Sequence, residues 1–223
     1  MMKRKSISRW WSILTDELGW LWVNNLLYLL CIAPSVICGF LFISFHAYLF
    51  LVLAVIAFVV AGPAILAIHK TTLDTAIEES RMVRIRFLAA YQAYAGKGIL
   101  LGLVLSLAMI LFGMPVYFAL SINSPLLGLI VFACCMSLLL WHSSSSQFLS
   151  GLCLNRKLNL ENLLHQIFAP GFMSVVFGLI KLVWVFLYLF APGFAISCSL
   201  VGVPTLIRFT ILYYLYNQGD ANE

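Results

Sequence analysis

The sequence predicts an all-α membrane protein that crosses the bilayer six times. Of its 223 residues, 63% are hydrophobic and only 9% are charged, whereas a soluble domain carries about 25% charged residues. The apolar residues occur in continuous runs rather than in alternation, which indicates helices and not the strands of a barrel. Lipid must therefore surround most of the chain, and we expect a single helical membrane domain over residues 1–223.

Six apolar runs approach the length of about 20 residues that a helix needs to cross about 30 Å of hydrocarbon. Prolines lie inside several of these runs or near their ends, and we interpret them as kinks or as span boundaries. A tight hairpin of only three residues is expected between the first two runs. The predicted spans are residues 22–43, 47–68, 99–120, 126–147, 172–190 and 195–216.

The basic residues predict the orientation of these spans. Eleven of the 13 lie before the first span, in the segment 69–98 or in the loop 148–171, and six spans place those three regions on one side. The loops on the opposite side contain neither lysine nor arginine. Because basic loops stay in the cytoplasm, both chain termini are predicted to be cytoplasmic in a multi-pass protein of the plasma membrane.

Residues 1–21 have the pattern of a short amphipathic helix in the membrane interface. Apolar side chains recur there at helical spacing, and the tryptophans suit the level of the lipid headgroups. A docking helix for a partner protein is the alternative interpretation. The expected apolar face consists of Ile7, Trp10, Trp11, Leu14, Leu18 and Leu21.

The segment 69–98 is the longest polar interruption of the chain, and we expect it to form a basic, amphipathic cytoplasmic hairpin. It carries five basic residues, and Thr75 with Glu78 has the spacing of a helix capping box. Two roles stay open for this hairpin: anchoring to anionic lipid, or docking of a partner protein. The candidate partner-binding residues are Arg81, Arg84, Arg86, Phe87 and Tyr91.

Lys181 and Arg208 are the only basic residues inside the predicted spans. Each lies about eight residues from the cytoplasmic end of its span, which is about 12 Å at the helical rise, so its side chain can extend toward the headgroups. The functional alternative is that both cations line an inward-facing cavity for an anionic or polar ligand. No acidic residue lies inside a predicted span, which argues against a proton- or sodium-coupled carrier.

The sequence contains no motif for catalysis, metal binding or nucleotide binding. Its six cysteines and four histidines lack zinc-ligand spacing, and glycine-rich phosphate loops are absent. His142 is followed by four serines but by no acid that could orient a triad. We therefore expect no enzyme, no cofactor and no nucleic-acid partner. The residual enzyme hypothesis depends on Glu161 and His165, which are four residues apart.

Three stretches of the first half of the chain resemble the YesL-like family of bacterial membrane proteins, whose function is unknown. The first is residues 25–30, NLLYLL, followed by Pro34. The second is Gly62-Pro63-Ala64 with the charged segment after it. The third is Arg86-Phe87 with the aromatic residues that precede the third span.

The resemblance implies a non-enzymatic accessory role in the uptake of a solute such as a carbohydrate, or in the cell envelope. Family members are often encoded beside genes of this kind, which makes subunits of an ATP-binding-cassette transporter the candidate partners. A transporter or permease in its own right, with an inward-facing polar cavity, is the alternative. The oligomeric state is left open by the sequence.

Overall fold

The computed structural model describes residues 2–78, 86–122, 133, 136–137, 145, 148–153, 175–181, 183, 187 and 191–217. Regular structure in these residues is α-helical throughout, which confirms the predicted all-α class. Two helices are long and apolar enough to cross a membrane, or up to four if each of two bent helix pairs counts as one span. The predicted spans 126–147 and 172–190 lie mostly outside the described residues.

The chain divides into two compact units, one formed by Met1–Gly102 with Ile196–Glu223 and the other by Leu103–Ala195. Short helical stretches are also described at 148–153 and 175–181. The helices with described bounds are α1 (Met2–Phe45), α2 (Tyr48–Glu78), α3 (Arg86–Ala93), α4 (Ala95–Ile122), α5 (Pro192–Leu200) and α6 (Val203–Asn217).

Helix α1 is continuous where the sequence predicts a separate interfacial helix over 1–21 followed by a span. It has 44 residues, about 66 Å at the helical rise, or twice the thickness of the hydrocarbon. The predicted boundary at residues 21–22 is wrong because no proline or turn sequence lies there, and the single Gly19 is tolerated inside a helix at a cost of about 1 kcal/mol. The apolar stretch that suits a membrane begins at Trp10.

The buried residues near the start of α1 match the predicted apolar face only in part. Leu21 of that face is buried, but Trp11 and Leu18 are 55% and 47% exposed. Ile13 and Asn25, which were not assigned to the face, are buried. Since α1 does not break, its rotation about its own axis is set by the residues that contact other helices further along the chain. Trp11 therefore lies on the exposed side of α1.

Helices α1 and α2 form the predicted tight hairpin. Only His46 and Ala47 separate them, and His46 adopts a positive φ of 53°, the left-handed conformation that commonly ends a helix. The backbone N–H of His46 donates to the Phe42 carbonyl at 2.7 Å. Further along the pair, the Ser35 hydroxyl donates to the Ala54 carbonyl of α2 at 2.9 Å. Such bonds between membrane helices replace a hydrophobic driving force that lipid does not provide.

Helix α2 continues ten residues past its predicted end at 68 and includes the first part of the predicted hairpin 69–98. His69, Thr71, Thr72 and Thr75 are all buried there. The Thr75 hydroxyl donates to the Thr71 carbonyl at 2.9 Å, so Thr75 lies within a helix, and the capping-box prediction is wrong. Hydroxyls bonded to carbonyls of their own helix need no water, which allows this polar segment to be buried.

The crossing of α2 with α4 is formed by glycines. A Cβ built on Gly62 would overlap the backbone carbonyl of Gly98, and one built on Gly102 would lie 2.8 Å from the carbonyl oxygen of Val59. Pro63 lacks the N–H that would normally bond to the Val59 carbonyl. The bare backbone of Gly102 therefore packs against a carbonyl that proline has released from the helix.

Candidate functional site

The last predicted span, 195–216, is interrupted between α5 and α6. The axes of the two helices differ by 64°, and the turn between them contains Gly202 with φ of 92°, a conformation that favours glycine. Pro204 follows in the first turn of α6, where a missing N–H is tolerated. The same missing N–H removes the helical donor for the Leu200 carbonyl, four residues earlier. The sequence Gly-Val-Pro thus explains where the helix breaks.

Side chains of α1 donate hydrogen bonds to carbonyls at the break. The Trp22 indole Nε1–H donates to the Leu200 carbonyl at 2.8 Å, in place of the N–H that Pro204 lacks. The Asn25 amide Nδ2 donates to the Ser199 carbonyl at 2.7 Å, which also accepts from the backbone N–H of Gly202 at 3.0 Å. Within a membrane every backbone polar group must find a partner inside the protein. The two bonds therefore explain how an irregular turn persists at this position.

Asn25 is the centre of this contact. Its side-chain carbonyl accepts a hydrogen bond from the Thr205 hydroxyl of α6 at 2.7 Å, so both ends of the amide are used. Asn25 and Thr205 are each 2% exposed. A buried amide that bonds simultaneously to the last residues of α5 and the first turn of α6 holds the two halves of the broken helix at one angle.

Arg208 lies one turn beyond Thr205 on α6, and its guanidinium carbon is 5.7 Å from the centre of the Tyr28 ring on α1. Tyr28 in turn lies one turn beyond Asn25. A cation over an aromatic face gains roughly 0.5–2 kcal/mol. In the part of the chain that the structure describes, no carboxylate pairs with Arg208. The contact of α1 with α6 thus places a cation one turn away from a network of neutral polar groups.

An apolar groove of about 400 Å³ lies beside the turn. Its wall includes Trp22, whose ring edge would be 3.5 Å from a Cβ built on Gly202. The residues that line the groove are Leu18, Gly19, Leu21, Trp22, Val201, Gly202 and Leu206.

Lys181 belongs to the second unit, whereas Arg208 belongs to the first. The Lys181 ammonium donates to the Ser145 hydroxyl at 2.8 Å, and Ser145 is buried. Ser145 is one of the four serines after His142, so one of these serines has a partner that the sequence did not indicate. The prediction that Lys181 and Arg208 line a single cavity stays a prediction.

Two of the predicted partner-binding residues have described side chains, and both contact α2. Phe87 is 3% exposed and packs in a cluster with Ala64, Ala67 and Ile68 of α2. The Tyr91 hydroxyl donates to the Val60 carbonyl at 3.2 Å. The aromatic residues of α3 therefore hold that helix onto α2, and the role of Phe87 and Tyr91 in binding a partner stays a prediction.

The arginines of this predicted surface are described less fully. Arg86 is the first residue of α3, and Arg81 and Arg84 lie outside the described residues. Their role in binding a partner stays a prediction.

Sequence reasoning missed Asn25, Thr205 and the glycine crossing as structural determinants. Asn25 carries a side-chain amide, a strong hydrogen-bonding group, inside an apolar run. An amide in such a run indicates a hydrogen bond between membrane helices. Gly98 and Gly102 are four residues apart, the spacing that lets two helix backbones approach closely. Neither signal identifies the residue that is contacted. Thr205, for example, is 180 residues from Asn25.

The described residues contain no group of three or more histidine, cysteine or acidic side chains that could hold a metal ion. Comparison of the chain with known protein families, with curated proteins and with solved structures finds no match. The resemblance to the YesL-like family therefore stays a prediction that rests on the residues quoted for it.

Proposed function

We propose that this protein binds and moves a polar or anionic solute across the membrane, and that the contact of α1 with the broken helix α5–α6 is its binding region. The observation that carries the proposal is Arg208, a cation within a candidate membrane segment whose described partner is the Tyr28 ring rather than a carboxylate. A basic residue at mid-bilayer costs about 2.5–3.5 kcal/mol on insertion scales. Such a residue commonly marks the path of a substrate or ion.

The break in the helix supports the same proposal. Solute sites of many transporters lie where a membrane helix is discontinuous and its backbone is exposed to a cavity. Here Asn25 binds the carbonyl of Ser199, just before the turn, and the turn residues Val201 and Gly202 line the groove. An anion that approached Arg208 would find hydroxyl and amide groups within one helical turn of it. Exchange of the Asn25–Thr205 bond for a bond to the solute would change the angle between α5 and α6.

Flux through reconstituted liposomes tests the proposal. Liposomes loaded with potassium gluconate, or with sorbitol as a neutral solute, are diluted into solute-free buffer of equal osmolarity, and efflux is followed. We expect faster efflux with the protein than without it, a loss of at least tenfold in Arg208→Leu, and partial retention in Arg208→Lys. Arg156→Leu removes the same charge outside the described site and is the control.

The outcomes separate the alternatives. Efflux equal to that of protein-free liposomes for both solutes, or equal efflux in Arg208→Leu and in the native protein, would refute the proposal. A further loss when Lys181→Leu is combined with Arg208→Leu would support the predicted cavity shared by both cations. Loss of gluconate efflux with unchanged sorbitol efflux would assign the site to anions.

The second candidate function is a non-enzymatic accessory role beside a solute-uptake or envelope system, with subunits of an ATP-binding-cassette transporter as partners. It is supported by the resemblance to the YesL-like family and by the basic segment 69–98. Purification from native membranes in mild detergent, followed by mass spectrometry, tests it. Stoichiometric recovery of transporter subunits would favour this role, and recovery of the protein alone would favour transport by the protein itself.

The membrane arrangement is part of the same proposal. We place the protein in the plasma membrane of a bacterium with six spans and both termini in the cytoplasm, because eleven basic residues fall on one side and none in the opposite loops. Reporter fusions at the C-terminus and after residue 123 should report opposite sides of the membrane. Reports of the same side from both fusions would exclude the six-span arrangement.

A further inference from the structure

Helix α3 lies across the start of α4 rather than in line with it. The two helices meet at Tyr94 with a bend of 78°. Helix α4 has 28 residues, about 42 Å at the helical rise, and is thus longer than the hydrocarbon thickness of about 30 Å. α4 therefore needs no contribution from α3 to cross a membrane, and α3 runs nearly parallel to the membrane plane when α4 crosses it.

The two sides of α3 differ in their contacts. Phe87, Ala90 and Tyr91 face α2 and are buried or half-buried, and they hold the helix in place. Leu88 on the other side is 59% exposed, and its neighbours Ala89 and Gln92 are exposed as well. A helix with one apolar side chain directed outward and parallel to the membrane suits the boundary between headgroups and acyl chains.

The charge of α3 and of its junction with α4 is of one sign. Residues 86–98 contain two basic residues and no acidic one: Arg86 and Lys97. Lys97 is exposed, and its ammonium lies 5.9 Å from the centre of the Tyr94 ring, at the junction with α4. A tyrosine ring and a lysine at the end of a membrane helix are typical of the interface. The positive charge complements a surface of anionic lipid headgroups.

We infer that α3, with Arg86 at its start and Lys97 after it, is a binding surface for anionic phospholipid headgroups. A protein partner is the less suitable occupant of this helix. Its eight residues give an outward face about 12 Å long and about 10 Å wide, which is far below the roughly 800 Å² per partner that a stable protein interface buries. The inference is independent of solute transport and of the site at Arg208.

Lipid retention tests this inference. The full chain is reconstituted in nanodiscs of phosphatidylcholine with an equal amount of phosphatidylglycerol, released in mild detergent, and the bound lipids are counted by native mass spectrometry. We expect enrichment of phosphatidylglycerol. The double variant Arg86→Glu with Lys97→Glu should lose it by more than tenfold, since each basic residue contributes roughly fivefold to anionic-lipid binding. Arg86→Lys with Lys97→Arg should retain it.

The matched control is Arg156→Glu with Lys157→Glu, which changes the net charge equally in another segment. Hydrogen exchange of residues 87–93 gives a local measurement, and it should be slower in phosphatidylglycerol nanodiscs than in pure phosphatidylcholine. Equal loss of the lipid in both double variants, or exchange of α3 that does not depend on the lipid, would overturn the inference. So would a stoichiometric protein partner that is lost in Arg86→Glu with Lys97→Glu while lipid retention is unchanged.

Discussion

Two helix contacts in the first unit are stabilised by different physical means. α2 meets α4 at Gly62, Gly98 and Gly102, where backbone lies against backbone and against the ring of Pro63. α1 meets the break between α5 and α6 through directional hydrogen bonds, two of them made by the single amide of Asn25. Neither contact can depend on the hydrophobic effect, because lipid is as apolar as the side chains that it would replace.

The difference indicates which contact is rigid and which can change. The dispersion energy of the glycine crossing depends on a fit of a few tenths of an ångström, so any displacement of the two helices reduces this energy. Hydrogen bonds at the break can instead be exchanged for bonds to a solute without separating the helices. We therefore expect the α2–α4 crossing to act as the scaffold, and the α5–α6 turn to be the element that moves when the protein functions.

Gly62→Ala is expected to have the largest effect on stability. The added methyl would overlap the Gly98 carbonyl oxygen, so the two helices must separate, and we expect the free energy of unfolding to fall by about 3 kcal/mol. Unfolding of the purified protein by sodium dodecyl sulfate in mixed micelles measures it. Gly39→Ala is the control, because nothing lies within 4 Å of a Cβ at Gly39. It should be neutral or stabilising by up to about 1 kcal/mol, and equal destabilisation by both variants would contradict the close crossing.

Asn25→Leu should have an intermediate effect. It leaves the Ser199 carbonyl and the Thr205 hydroxyl without the bonds that Asn25 makes, and we expect a loss of about 2 kcal/mol in the same unfolding measurement. The adjacent Asn24 is also buried, but its Nδ2 has no hydrogen-bond partner in the described part of the chain. Asn24→Leu is therefore expected to be neutral or stabilising. If the two variants lose stability equally, volume and not hydrogen bonding explains the role of Asn25.

Gly202→Ala should have the smallest effect of the three, about 1 kcal/mol. The only described atom near a Cβ at this position is Cδ1 of Trp22 at 3.5 Å, an ordinary contact, so the loss arises from the positive φ alone. Asparagine tolerates positive φ better than alanine does, and Gly202→Asn should accordingly lose less. Hydrogen exchange at residues 201–206 checks that the turn itself is loosened. A larger loss for asparagine than for alanine would show that crowding decides the effect.

The sequence predicted correctly what depends on local pattern. The all-α class follows from continuous apolar runs, and the hairpin at His46 follows from the short gap between two of them. The predictions failed at residues 21–22, where α1 continues without the expected boundary, and at residues 69–76, where polarity was interpreted as exposure. Thr71, Thr72 and Thr75 satisfy their hydroxyls on their own helix, so their polarity does not require water.

The candidate site was predicted only in part. Arg208 was identified because a cation in an apolar run is unusual in itself, whereas its neighbours Tyr28 and Asn25 were not. These residues are about 180 positions away in the chain, and no periodicity relates them to Arg208. The contact of Phe87 with α2 was not predicted for a related reason: its spacing defines an apolar face, but does not say whether that face meets lipid, a partner or α2.

The sequence by itself determined that this chain is helical and suited to a membrane. Both properties depend on sums over many residues, on the free energy of transfer to lipid and on backbone groups bonded within each helix, and such sums do not require knowledge of the fold. The tertiary structure alone decided which polar side chains meet at the break in the last helix. Those contacts are few, directional and distant in sequence, so each depends on the packing of the helices that carry it.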